Sequence, residues 1–336
     1  MAAAGPRRAV DPSQVLAPAT PAALADVEAF VARREGGHAD LRPGAAARVT
    51  WADPQAPGRT ALAVIYLHGF SATRQETAPL AARLAAALGA NLFEARLRGH
   101  GRSQDALGEA TAEQWLEDAA QALAIGRLLG ERVVVVGCST GATLAAWLAG
   151  DGRAPGVGAL ILISPNFAIG HPAASLLSGP WGSALAHAIE GPYRSFRPVN
   201  AAHAAAWTTR YPTRAAVEVA ALVAFVRASD LGAVSAPTLV VYSRRDAVVD
   251  PAATEACFAR LGAPAKRLVA FEEAEDPAHH VLAGEILSPT ATAALLTLCR
   301  EFLAAQGAGS SPAGSPGRAT SAAPGGLEGE RGAGRE

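Results

Sequence analysis

A chain of 336 residues is long enough for one large domain or two small ones. Half of the residues are apolar and 18% are charged, so there is ample material for a core. A net charge of -1 with no basic block argues against nucleic acid or an anionic membrane as the main partner.

Three cysteines, Cys138, Cys257 and Cys299, are too few for a disulfide framework and wrongly spaced for a zinc site. They read as free, reduced thiols of a cytoplasmic protein. Arg7 and Arg8 have no apolar run behind them, because Asp11 and Pro12 interrupt at once, so no secretory signal is expected. No stretch reaches the roughly 18 unbroken apolar residues of a membrane span.

Residues 1–19 are rich in Ala and Pro and read as a flexible N-terminus. A helix is expected from Thr20 as N-cap and Pro21, with Leu24, Val27 and Val31 on one face. Seven short apolar runs then follow: 48–52, 61–67, 91–97, 132–137, 158–164, 237–243 and 266–271. Amphipathic stretches lie near 77–88, 111–129, 140–149, 251–261 and 288–305. Strands apolar on both faces, alternating with helices, predict an α/β fold with a mostly parallel sheet flanked by helices. The alternation fails between about 166 and 235, where helix-like pieces are broken by Gly and Pro. That stretch reads as a helical cap inserted into a core of 20–165 and 236–305. Residues 306–336 hold nine glycines, three prolines and one large apolar side chain, Leu327, and read as a disordered tail.

The run VVVVGCSTG (133–141) carries the chemistry. Ligands of an open parallel sheet bind beyond the carboxyl ends of its strands. The strand 132–137 ends there and a helix starts at Thr140, so only a tight, strained turn joins them. Gly137 and Gly141 supply the small neighbours that such a turn needs, and Ser139 is pushed out at the helix N-terminus. A serine needs a base to take its proton. The order serine, acid, histidine is met further on. Asp246 follows strand 237–243 in SRRDAVVDP, with Asp250 as its competitor, although Asp250 before Pro251 looks like an N-cap. His279 and His280 stand in the loop EEAEDPAHHVL, and His280 suits the base better. Backbone donors for an oxyanion are expected from Thr140, next to the serine, and from Phe70 in the loop HGF. His68, Arg98 and His100 read as loop supports.

Together, HGF (68–70), RGHG (98–101), GCSTG (137–141), SRRDAVVD (243–250) and HHVL (279–282) resemble the α/β-hydrolase superfamily. The nearest group in character is the bacterial carboxylesterases and monoacylglycerol-lipase-like enzymes with a small helical cap. The resemblance covers about 45–305. It implies Ser139 as nucleophile, Asp246 as acid, His280 as base, Phe70 and Thr140 as oxyanion donors, and no cofactor or metal. Two positions depart from the usual pattern: His279 stands where the family often has Gly, and Cys138 precedes the serine. The expected substrate is a small carboxylic ester, of short- to medium-chain or monoacylglycerol type, with an apolar acyl group. Seven of the chain's aromatic residues (Phe167, Trp181, Tyr193, Phe196, Trp207, Tyr211, Phe225) fall in the cap, either as a substrate pocket or as the cap's own core. Alternatives on the same fold are a serine peptidase, with Glu190 or Glu218 holding a substrate amine, an acyltransferase, or a ligand-binding receptor without catalysis.

Overall fold

Runs of residues apolar on both faces can lower their free energy only inside a sheet covered on both sides. The computed structural model, which describes residues 5–150, 156–170, 177 and 179–307, has that arrangement. Its strands are β1 (Arg48–Thr50), β2 (Thr60–Leu67), β3 (Asn91–Glu94), β4 (Gly130–Cys138), β5 (Val157–Ile163), β6 (Tyr193–Ser195), β7 (Arg210–Pro212), β8 (Thr238–Tyr242) and β9 (Lys266–Ala270). Seven of them form one sheet in the order β1-β3-β2-β4-β5-β8-β9. Only the β1–β3 pair is antiparallel. All seven expected apolar runs are in this sheet.

The helices are α1 (Val27–Gly36), α2 (Leu80–Leu88), α3 (Ala112–Leu129), α4 (Thr140–Gly150), α5 (Gly182–Glu190), α6 (Ala201–Ala206), α7 (Thr213–Ala228), α8 (Pro251–Arg260) and α9 (Ala291–Ala305). The period-two alternation of β2 and β4 sorts the core into two layers. Ile65, Leu67, Val133 and Val135 face a layer closed by α1, α3, α4, α7 and α8. Val64, Tyr66, Val134, Val136 and Cys138 face a layer closed by α2 and α9. Each large side chain fully buried in these layers contributes about 1.5–3 kcal/mol.

Two helix starts follow the expected chemistry. Thr111 caps α3 and forms a capping box with Gln114. Asp250 caps α8, accepting from the N–H of Ala252, with Pro251 in the first turn. The first helix starts later than Thr20: a 3-10 turn at Leu24–Asp26 leads into α1 at Val27. There Asp26, not Thr20, captures a free N–H, that of Ala23 at 3.2 Å.

Of the segment read as flexible, Arg8, Asp11 and Leu16 lie against α3. Arg8 joins Glu113 of α3 to Glu218 of α7, with its Nε 2.7 Å from Glu218 and its guanidinium 2.5–3.0 Å from Glu113. The N–H groups of Asp11 and Leu16 donate to Glu113 and Glu117, both at 3.0 Å. Polar anchors of this kind leave no periodic trace in a sequence.

The described residues of the stretch 166–235 form α5, α6 and α7 and also the small β6–β7 ladder. Two strands of three residues are too short to display alternation. α7 is less a lid than part of the core: Ala215, Val219, Leu222 and Val226 are buried in the layer shared with α3 and α4. Within the cap, residues 171–176 and 178 lie outside the described residues, as does the tail from 308.

Candidate functional site

β4 ends at Cys138 and α4 begins at Thr140, which leaves Ser139 alone in the turn. Its φ is 53°, in the left-handed region. The turn is held by backbone bonds on both sides. The N–H of Ser139 donates to Ile163 at 2.9 Å, and its carbonyl accepts from Ala142, Thr143 and Asn166. A Cβ on Gly137 would stand 2.5 Å from the Gly141 carbonyl oxygen, and one on Gly141 would stand 2.0 Å from the Leu67 carbonyl oxygen. The two glycines are thus required by backbone-to-backbone contact. Ser139 sits at the carboxyl edge of the sheet with 6% of its surface exposed.

At the same edge, the loops after β8 and β9 bring Asp246 and His280 together. His280 Nδ1 lies 2.7 Å from Asp246 Oδ2. The acceptor fixes the proton on Nδ1 and leaves Nε2 as the basic nitrogen. The other oxygen, Asp246 Oδ1, accepts from Val248 at 2.8 Å and Val249 at 2.9 Å, so the carboxylate cannot turn. Burial opposes the charged imidazole, but the charge and hydrogen bond of Asp246 outweigh it, and Glu76 and Asp276 add to them. The net effect holds the pKa of His280 above its ordinary value.

Among the described residues no hydrogen bond joins Ser139 Oγ to His280. Both residues are tied to one segment, 163–166. Ser164 Oγ donates to the His280 carbonyl at 2.7 Å, while Ile163 and Asn166 hold the backbone of Ser139.

The competitors are accounted for. Asp250 is the N-cap of α8. His279 has a φ of 51°, and among the described residues its Nδ1 meets no partner. A left-handed residue at this position is the physical reason why a glycine is at ease there.

The expected oxyanion donors lie on the two sides of Ser139. Thr140 is the first residue of α4, so its N–H has no acceptor within the helix. Phe70 follows Gly69, whose N–H is occupied by Glu76 at 2.8 Å. Among the described residues no backbone carbonyl accepts the N–H of Phe70. His68 supports this loop, as expected: Nδ1 donates to the Gly69 carbonyl at 2.9 Å and Nε2 accepts from Leu97 at 3.1 Å. Burial pushes its pKa down to about 4, so the ring is neutral. Arg98 and His100 are also structural. Arg98 binds Glu117 and Asp118, and its carbonyl accepts from Trp115. His100 is buried beneath Phe70, with ring centroids 5.8 Å apart.

The cap comes down over these loops. Tyr211 of β7 meets Phe70 edge-on at 5.1 Å. The N–H of Thr208 donates to the Ser71 carbonyl at 2.7 Å. Trp207 packs with Ala72, Val281 and Leu287, beside His280. The cap aromatics therefore divide: Tyr211 and Trp207 border the site, Phe167 is buried in the core, and Trp181 is 53% exposed. A separate groove of about 650 Å³, lined by Arg33, Arg34, Arg96, Arg98 and Arg102 among others, contains none of the expected site residues. Four of those arginines are engaged by carboxylates.

Sequence reasoning missed three residues of the site: Glu76, Ser164 and Asp276. Asp276 gathers the histidine loop, with Oδ2 accepting from the N–H of His280 at 3.1 Å and of Val281 at 2.9 Å. Its place before Pro277 is a turn signal that pointed to this role. Glu76 and Ser164 carry no such signal.

The comparisons with known proteins fit this geometry. Four-fifths of the chain superposes on a structure of the metagenome-derived lipolytic enzymes LipS and LipT, with a TM-score of 0.63, 20% identity, and coverage of 79% of this chain and 99% of that one. The monoacylglycerol lipase of Paleococcus ferrophilus gives a TM-score of 0.57 at 16% identity, covering 77% and 98%. A soluble variant of the monoglyceride lipase of Saccharomyces cerevisiae gives 0.59 at 14% identity, covering 78% and 91%. At these identities the likeness is one of fold. No curated protein matches the chain by sequence. A family profile described as serine aminopeptidase, S33, does match, over residues 58–285. That span runs from β2, through the Ser139 turn, to the loop that carries His280, and on it the chain belongs to the serine aminopeptidase S33 family and has the α/β-hydrolase fold.

Proposed function

We propose that the protein is a serine hydrolase of small carboxylic esters acting through Ser139, His280 and Asp246. The observation that carries this reading is the 2.7 Å pair of His280 and Asp246 at the edge where Ser139 stands on its left-handed turn. His280 Nε2 takes the proton of Ser139 Oγ as the oxygen attacks the acyl carbonyl. The N–H groups of Phe70 and Thr140 hold the oxyanion. The imidazolium then gives its proton to the departing alcohol, and the acyl group stays on Ser139. Water repeats the sequence: His280 takes its proton, the hydroxide attacks the acyl-enzyme, and the proton returns to Ser139 Oγ as the acid leaves. Asp246 holds the tautomer and stabilises the cation. No cofactor or metal enters these steps.

Tyr211, Trp207 and Phe70 support an apolar acyl group of short to medium length, or a monoacylglycerol-like ester. The family description raises the aminopeptidase as a second reading. A substrate amine needs a free carboxylate in the cap. Glu218 is held by Arg8 and by the N–H of Ala112. Glu190 faces Arg194 on the surface. Neither supports the peptidase, and the ester is the better reading.

The test is hydrolysis of p-nitrophenyl esters from acetyl to palmitoyl together with fluorophosphonate labelling of Ser139. Ser139→Ala is expected to lose labelling and about 10⁴–10⁶-fold in kcat. More than a few per cent of activity left in that variant refutes the nucleophile. Folded wild type that neither labels nor turns over an ester points to a receptor.

A further inference from the structure

We propose that Glu76 is a positioning residue that locks the oxyanion loop against the nucleophile turn; this deepens, and rests on, the reading of Ser139, Phe70 and Thr140 given above. Glu76 is 2% exposed, and among the described residues its carboxyl group makes no ion pair, although the charge of His280 bears on it. Its Oε2 accepts from the N–H of Gly69 at 2.8 Å and from the hydroxyl of Tyr66 at 2.9 Å. Gly69 immediately precedes the donor Phe70 and lies against Ser139. The carboxyl group therefore holds the loop segment that must meet the nucleophile turn around the oxyanion.

The fit is close on both sides of Gly69. A Cβ there would stand 2.5 Å from Glu76 Oε1 and 3.0 Å from the Cβ of Ser139. Gly69 is thus clamped between the carboxyl group and the serine. Holding its N–H fixes where Gly69 stands, and the His68 ring, 2.9 Å from the Gly69 carbonyl, fixes the following peptide plane that carries the Phe70 N–H.

A purely structural role explains this arrangement poorly. Burying a carboxyl group costs several kcal/mol unless it is fully bonded, and an apolar side chain would fill the same space at less cost. What the carboxyl group adds is a reach of fixed length to Gly69. A donor displaced by about 1 Å loses up to about 10²-fold in rate.

The test separates reach from charge. Glu76→Asp keeps the charge and withdraws the acceptor by one methylene, about 1.5 Å. Glu76→Gln keeps the reach and removes the charge. In the full chain, Glu76→Asp is expected to lower kcat about 10–100-fold with KM within about 3-fold. Binding of an aryl boronic acid, whose tetrahedral adduct on Ser139 presents an oxygen to the oxyanion donors, is expected to weaken by the same factor. Glu76→Gln is expected to recover most of that loss in both readouts. If Glu76→Asp does not fold, Glu76→Met withdraws the acceptor with the chain length kept and carries the same expectation. A folded Glu76→Asp with kcat and boronate affinity within about 3-fold of wild type overturns the proposal. Losses in Glu76→Gln as large as in Glu76→Asp also overturn it, because the reach that Glu76→Gln keeps would then not be what the residue supplies. Wild type that fails to label at Ser139 overturns the hydrolase reading itself, and the role of Glu76 falls with it.

Discussion

Ser139 with φ 53° and His279 with φ 51° are two of the five non-glycine residues at positive φ among the described residues. Their surroundings differ completely. At Ser139 the strain is enforced from all sides: the backbone is bonded to Ile163 and Asn166, and Gly137 and Gly141 leave no room for another atom. At His279 the backbone is held by the Asp276 carbonyl alone, and the side chain is half-buried with its Nδ1 unmatched among the described residues. The first turn holds the hydroxyl that the proposed mechanism uses. The second exists to bring the next residue, His280, under Asp246. Strain of about 1–2 kcal/mol is thus tied to the side chain in one turn and only to the chain direction in the other.

That comparison is open to attack, and the largest effect is expected at the nucleophile turn. Gly141 is the second residue of α4, where Ala is normally worth up to about 1 kcal/mol of added stability. Here Gly141→Ala is expected to destabilise by more than about 4 kcal/mol, because Cβ meets the Leu67 carbonyl. Urea denaturation reads the difference, and a stabilised variant would mean that the turn has slack.

The pH dependence tests what the His279 turn achieves. On the proposed mechanism neutral His280 is the base, so kcat/KM is expected to fall on the acid side with an apparent pKa above the ordinary 6.5. Asp246→Asn removes the main cause of that shift, so the acid limb is expected to move to lower pH while kcat drops about 10⁴-fold. The linked stability runs the other way. A folded pKa above the unfolded one makes His280 stabilising at and below about pH 6.5, and that contribution is lost as the pH rises through the folded value. An acid limb that stays in place in Asp246→Asn would detach the carboxylate from the ring.

The smallest effect is expected at His279 itself. His279→Gly is expected to raise stability by about 1 kcal/mol, since glycine adopts positive φ without the Cβ penalty. Activity is expected to remain within about 2-fold, read by the same ester assay. A large loss of kcat would give the His279 side chain a role that its unmatched Nδ1 does not suggest.

Much of the molecule was legible before the fold was known. The seven strands show as runs apolar on both faces, since burial on two sides leaves no room for alternation. GCSTG is readable because a strand-to-helix turn of one residue tolerates only small neighbours. Asp246 and His280 are readable by order, and the rival Asp250 by the proline after it. The N-terminal segment was not legible: a few carboxylates on α3 and α7 hold it, and a single arginine 105 positions from Glu113 gives no pattern. The β6–β7 ladder was hidden by its three-residue length.

The sequence by itself determined the sheet, its covering helices, the strained serine turn and the candidate acid and base, because each depends on residues close together in the chain or on periodic burial. Only the tertiary structure decided that His280 and not His279 reaches Asp246, that Arg8 ties α3 to α7, and that Glu76 reaches the N–H of Gly69. These are contacts of single side chains between distant segments. Their selection depends on distances of a few tenths of an ångström, which packing fixes and no local pattern records.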